Sequence, residues 1–232
     1  ARGKQFLYDE GAKIPFIVWA PKLYKPEIKD ELISHIDMAA TSLKIAGINI
    51  PEYMEARPLL NENHIPRDYV IVARDRCDET VDRIRSVRKS KFKYIKNFMP
   101  QRPYLQPCNY KDHKPFMTVL REMYKNGELN KIQELHLAET RPVDELYDLS
   151  ADPFEVNNLA LNPIHASTLK EMQDILTNWI AETGDQGVRA ESEESYNSSM
   201  EAYVAPFRKR EQHNKVKNIE ANVAIMKQWA EE

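Results

Sequence analysis

Between Asp68 and Phe98 the chain runs through three short segments, DYVIVARD, DRIRSVRK and KFKYIKNF, rich in β-branched and aromatic residues. Successive side chains of a strand point to opposite faces, and Phe92, Tyr94 and Phe98 alternate onto one of them. A tight turn near Lys89 and Ser90 joins the last two segments, so the pattern predicts an antiparallel meander. DELYDL, from Asp144 to Leu149, supplies a further strand that the turn Ser150–Pro153 closes. Asn162 and Pro163 then start a helix in which Leu169, Met172, Leu176, Trp179 and Ile180 recur at helical spacing. An apolar stripe of that width is expected to pack on the sheet.

The flanks read differently. KIPFIVWAP, Lys13 to Pro21, is a continuous apolar run bounded by prolines, the signature of a strand buried on both faces. Ser34 and Asp37 form a variant capping box before a helix with Ile36, Ala39, Ala40, Leu43 and Ala46 on one side and Gly47 as its stop. One strand and one helix cannot close a parallel sheet, so the neighbours of this unit are expected outside the chain. Pro58 and Pro66 mark a polar linker between Pro51 and Arg67. Short helices are expected from about Phe116 to Asn126 and from Asn130 to Ala138. After Gly184 the stretch GDQGVRAESEESYNSS reads as a loop, and Ile219, Val223, Met226 and Trp229 as an amphipathic helix wrapping back over the domain. Three regions follow: 1–60, 61–183 and 184–232.

Several function classes drop out. A net charge of −3 and a pI near 6.1 give no global attraction to nucleic acid. No apolar run approaches the roughly 20 residues of a membrane helix. The six glycines form neither a dinucleotide-binding nor a P-loop pattern. Cys77 and Cys108 lie outside any C-x-x-C pair and leave one disulfide or two thiols open. His113 and His136 lack metal-ligand spacing, and His64 falls in the linker.

Taken together, GKQFLYDEGAKIPFIVWAP, SHIDMAATSLKIAGI, IRSVRKSKFKYIKNF and ELYDLSADPFEVNNLA resemble, in one consistent order from about Gly3 to Ala181, the sulfatase family of the alkaline-phosphatase-like superfamily. Tyr8-Asp9-Glu10-Gly11 and, more weakly, GDQG are closest to heparan N-sulfatase-like bacterial enzymes that act on carbohydrates. The resemblance implies an α/β fold: the last strand and helix of a large mixed sheet domain, then a smaller antiparallel sheet packed on a long helix. It implies hydrolysis of sulfate esters or N-sulfate on a sulfated saccharide, and export to the periplasm or outside the cell.

Residue by residue, the resemblance makes Lys4 the lysine that contacts the sulfate, a compact cation facing an anionic ester. The loops of the small sheet would face the cleft. Arg74, Arg76 and Asp78, in ARDRCDETVDRIR, are therefore the candidates for reading the sugar, with an exposed salt-bridged hairpin as the plain alternative. The family nucleophile is formylglycine, made from Cys or Ser in C/S-x-P-S-R. Cys77 precedes Asp-Glu-Thr-Val and Cys108 precedes Asn-Tyr-Lys-Asp, so neither qualifies. Calcium, held in the family by carboxylates and an amide, is likewise expected upstream, so no metal ligand is assigned in this chain. The chain thus reads as the C-terminal part of a sulfatase, with an N-terminal catalytic portion as its partner, and inactive alone. A different class remains beside this one: a non-catalytic module binding sulfated glycans through the basic hairpin RSVRKSKFKYIK, whose lysines are otherwise expected on the solvated face of a sheet edge. Exposed Ile14, Phe16 and Val18 would also favour a homo-oligomer.

Overall fold

The computed structural model describes residues 3–22, 25–60 and 64–231. The four predicted strands form: β1 (Val70–Cys77), β2 (Thr80–Arg88), β3 (Phe92–Asn97) and β4 (Asp144–Asp148). They make one antiparallel sheet in the order β1-β2-β3-β4. Among the described residues eight α-helices accompany them: α1 (Asp9–Ala12), α2 (Asp37–Ile45), α3 (Asn109–Asp112), α4 (Pro115–Lys125), α5 (Lys131–Leu135), α6 (Ala166–Thr183), α7 (Glu193–Lys209) and α8 (His213–Glu231). The fold is mixed α/β, with the antiparallel sheet lying on the long helix α6.

Register decides what each face buries. Val87 pairs with Tyr94 and Tyr94 with Leu146, so these three lie side by side on one face, where Met172 and Leu176 of α6 cover them. Ile84, Ile95 and Tyr147 point the other way and meet Phe6, Leu7 and Tyr8 together with Leu105 and Met117. The N-terminal segment therefore serves as the second lid of the sheet. Gly184 ends α6 in a left-handed conformation (φ +61°), with its N–H on the Ile180 carbonyl.

Four expectations need correction. Lys13–Pro21 forms no strand and pairs with none among the described residues, with Ile17 89% and Trp19 88% exposed. An apolar run encodes the wish to be buried but not the partner that buries it. The basic hairpin is not an edge: β2 and β3 are the central strands, and Lys93 is 1% exposed because the N-terminal lid lies over it. Its ammonium is held by Asp9 and, at 3.0 Å, by Glu155. The stretch after Gly184 is not all loop, since Ser192 caps α7 and Tyr196, Met200 and Val204 are buried. Its paired ends, Glu193 with Lys227 and Arg208 with Glu220, show that α7 and α8 run antiparallel. Finally, only half of the capping box at α2 is present: the Ser34 N–H donates to Asp37 Oδ2 at 2.9 Å. The other Asp37 oxygen accepts from the Arg57 N–H and from Arg67, and Arg67 also donates to Oδ2.

Candidate functional site

An open cleft of about 480 Å³ lies where the N-terminal lid meets β1. Lys4, Gln5, Phe6, Leu7 and Gly11 of the N-terminal segment line it together with Val72 to Cys77 of β1. Lys4 is exposed, while Phe6, Leu7 and Tyr8 beside it are 3–4% exposed and anchor its loop in the core. The Phe6 N–H closes that loop on the Gly3 carbonyl at 2.8 Å. A long flexible cation is thus mounted on a fixed base.

Gly11 makes the mounting feasible. A Cβ there would stand 2.3 Å from both the Gly3 and Phe6 carbonyl oxygens, which are backbone and cannot rotate away. Gly11→Ala is expected to destabilise the fold by about 1–3 kcal/mol and to push the Lys4 loop off its seat. Paired urea melts and backbone amide shifts of residues 3–8 check this; an unchanged midpoint with unchanged shifts would refute it.

The three arginine and aspartate candidates take different places. Arg74 turns inward: its Nη1 donates to the Gln5 carbonyl at 2.7 Å and lies 3.9 Å from Asp82 Oδ2. Burial is the main influence on its guanidinium and pulls its pKa down from the ordinary value. Arg74 therefore ties β1 to the loop that carries Lys4. Arg76 stays in contact with solvent, its Nε 3.0 Å from Glu191 Oε2 and its Nη1 on the Asp78 carbonyl at 3.1 Å. Asp78 is exposed in the β1–β2 turn, at φ +53°, and is not among the residues that line the cleft. The structure thus gathers Lys4, Arg74 and Arg76 and leaves Asp78 at the hairpin tip.

Other groups around the cleft escaped sequence reasoning. Gln5 Nε2 donates to both Cys77 Sγ (3.0 Å) and Cys108 Sγ (3.2 Å), and both cysteines are free thiols. Arg85 crosses under the sheet end to join Asp75 (2.7 Å) and Asp185 (2.8 Å), so the GDQG turn clasps β2. Lys111 stands 4.3 Å above the Phe6 ring, and burial pushes its ammonium down to about 8. Behind the cleft, Asp82 accepts two hydrogen bonds from Arg141, at 2.8 and 2.9 Å, and one from Gln106 at 2.7 Å. Asp75, Asp82 and Arg85 lie in the dense Arg and Asp run of residues 73–85, whereas Gln5, Lys111 and Arg141 carry no such local signal.

Residues 2–135 match the family described as N-sulphoglucosamine sulphohydrolase, C-terminal. An ulvan-active sulfatase of Formosa agariphila is 37% identical over 194 residues, which cover 83% of this chain and 33% of that protein. Human N-sulphoglucosamine sulphohydrolase is 26% identical over 202 residues, 81% of this chain and 40% of that protein. The chain therefore spans between about a third and two fifths of the length of these curated relatives. A solved Bacteroides thetaiotaomicron protein described under the metabolism of multiple glycosaminoglycans is similar at 25% identity and a TM-score of 0.48, over 76% of this chain and 31% of that one. No helix among the described residues is long and apolar enough to cross a membrane.

Proposed function

The chain belongs to the sulfatases, in the family of N-sulphoglucosamine sulphohydrolase C-terminal domains, and from that premise we propose that it forms one wall of a carbohydrate sulfatase active site. Lys4 contacts the sulfate, and the β1–β2 hairpin, through Arg76 above all, reads the saccharide. The observation that carries this reading is the shared cleft: Lys4 and Arg76, distant in sequence, line the same concavity. An ammonium facing a sulfate oxygen neutralises charge that shifts onto the leaving group and the sulfuryl oxygens as the S–O or S–N bond breaks. A guanidinium at the rim donates as a fork to a second sulfate or a carboxylate on the sugar.

The cofactors of the complete enzyme are assigned to the part outside this chain. Formylglycine does not fit either cysteine, because neither is followed by the maturation sequence and Cys108 is sealed at 0% exposure. Calcium wants six or more oxygen ligands, and the metal-sized cluster found among the described residues pairs two carboxylates with a thiol. The chain alone is therefore proposed to be inactive. Lys13–Ala20, with its exposed Ile14, Phe16, Ile17, Val18 and Trp19, is read as the surface that packs against the remaining enzyme. Export is proposed on the ground of the family alone.

The competing reading, a glycan-binding module built on the basic hairpin, is disfavoured by the pairing of its lysines. Lys89 is matched to Glu171, Lys91 to Asp148, Lys93 to Asp9 and Glu155, and Lys96 to Asp144. Little free positive charge is left on that face.

Arg76→Ala in the complete enzyme tests the assignment. Loss of a charge-assisted hydrogen bond of about 1.5–3 kcal/mol corresponds to a fall of about 10- to 100-fold in kcat/KM on a sulfated oligosaccharide. Turnover of a small aryl sulfate, which has no sugar to read, is expected to stay within about twofold. Equal losses on both substrates would end the sugar-reading role.

A further inference from the structure

The β1–β2 turn carries Asp78 and Glu79, and it meets the segment entering α3, where Cys108 and Asn109 stand. Asp78, Glu79 and Cys108 each bring a ligand atom within 4.8 Å of the others. Glu79 and Cys108 are 0% exposed, whereas Asp78 opens to solvent. Acceptors outnumber donors here. Glu79 Oε1 takes the Asn109 N–H and, at 2.9 Å, Asn222 Nδ2, but Glu79 Oε2 has no hydrogen-bond partner. Asn109, 4% exposed and next in the chain to Cys108, has an equally unpartnered Oδ1. Among the described residues no ion pair to Glu79 is found, and a buried carboxylate without counter-charge is costly unless a cation pairs with it. Among the described residues Cys108 Sγ accepts from Gln5 Nε2. Arg76 approaches Asp78 through the backbone carbonyl and leaves the carboxylate free of it. The Tyr203 phenol, raised to about 12 by burial and then by Asp78 and Glu79, stays neutral beside the cluster.

We propose that Asp78, Glu79 and Cys108 form a site for a divalent cation of borderline softness, of the zinc type, whose fourth position is left to water. Two hard oxygens and one thiolate suit such an ion at three protein ligands with one position open, and the thiolate selects against calcium and magnesium. On binding, the Cys108 S–H bond gives its proton to solvent as the sulfur–metal bond forms, so affinity rises with pH. The bound cation pins the tip of the hairpin that holds Arg74 and Arg76 to the start of α3. This inference does not depend on the sulfatase reading, because its readout is metal binding and not sulfate release.

The test is titration of the reduced 232-residue chain with Co²⁺. A thiolate-to-cobalt charge-transfer band saturating at one equivalent, displaced by Zn²⁺ and unaffected by Ca²⁺, is expected. It should vanish in Cys108→Ser, persist in Cys77→Ser, and need at least about tenfold more Co²⁺ in Glu79→Gln, which keeps the size of the buried group. No band at tenfold excess of Co²⁺, a band that survives Cys108→Ser, or an unchanged titration in Glu79→Gln would each overturn the site. Because Cys77 and Cys108 share one Gln5 amide, loss of the band in both cysteine variants would assign the metal to the thiol pair and overturn it too.

Discussion

Lys4→Ala in the complete enzyme is expected to lower kcat/KM by about 10²- to 10³-fold on saccharide and aryl sulfate alike, the scale of removing one preorganised charge stabiliser. Both substrates share the sulfate, so a residue that contacts it cannot discriminate between them. This is the opposite of the pattern for Arg76, and the pair of variants separates the two halves of the cleft. The fold should be untouched, because Lys4 is exposed and its loop is held by Phe6, Leu7 and Tyr8, not by its own side chain. A melting temperature within about 2 °C of the parent is expected, as for a surface substitution. Lys4→Arg should recover little, since a planar fork on the same base overshoots a position fitted to a compact ammonium. Sulfate release within fivefold of the parent in Lys4→Ala would remove the residue from the site.

The strands were legible because their information is local. Alternation in residues 68–98 and in DELYDL fixes strand, turn and face within a few residues, and the stripe of α6 fixes what lies on them. Where reading failed, the deciding partner was far away. Lys93 looks like a solvated edge lysine until Asp9 and Glu155, 84 residues before it and 62 after it, arrive to cover it. The apolar run at Lys13–Pro21 signals burial, but no strand among the described residues pairs with it. Helix α7 was hidden by composition: Tyr196, Met200 and Val204 fall four residues apart, but the polar residues around them outweigh the period. In the candidate site, Lys4 and the arginines are proposed from motif and residue type, and the structure places all three on one cleft. That Arg74 would turn inward to the Gln5 carbonyl was not legible, since nothing local separates it from Arg76, two positions along the same strand.

That inward turn leads to the largest stability effect expected in the chain. Asp82 is 0% exposed at its side chain and faces two arginines: Arg141, 1% exposed and bound through both nitrogens, and Arg74, 3.9 Å away. Removing the carboxylate leaves a guanidinium buried without counter-charge. Asp82→Ala is therefore expected to cost about 3–5 kcal/mol, read as a lower urea midpoint with an unchanged slope. The loss should persist in high salt, because charges shielded from solvent are screened little. Asp82→Leu combined with Arg141→Met should be far less damaging than either single change, since replacing a buried pair by apolar groups removes the desolvation penalty along with the attraction. A single-variant loss below about 1 kcal/mol would show that the arginines find other partners. The same variants bear on function. Arg74 reaches the Gln5 carbonyl from a position set opposite Asp82, so loss of Asp82 frees Arg74 to move and loosens the loop on which Lys4 stands. In the double variant, stability should return before activity does, because packing can replace the ion pair but nothing apolar restores the position of Arg74.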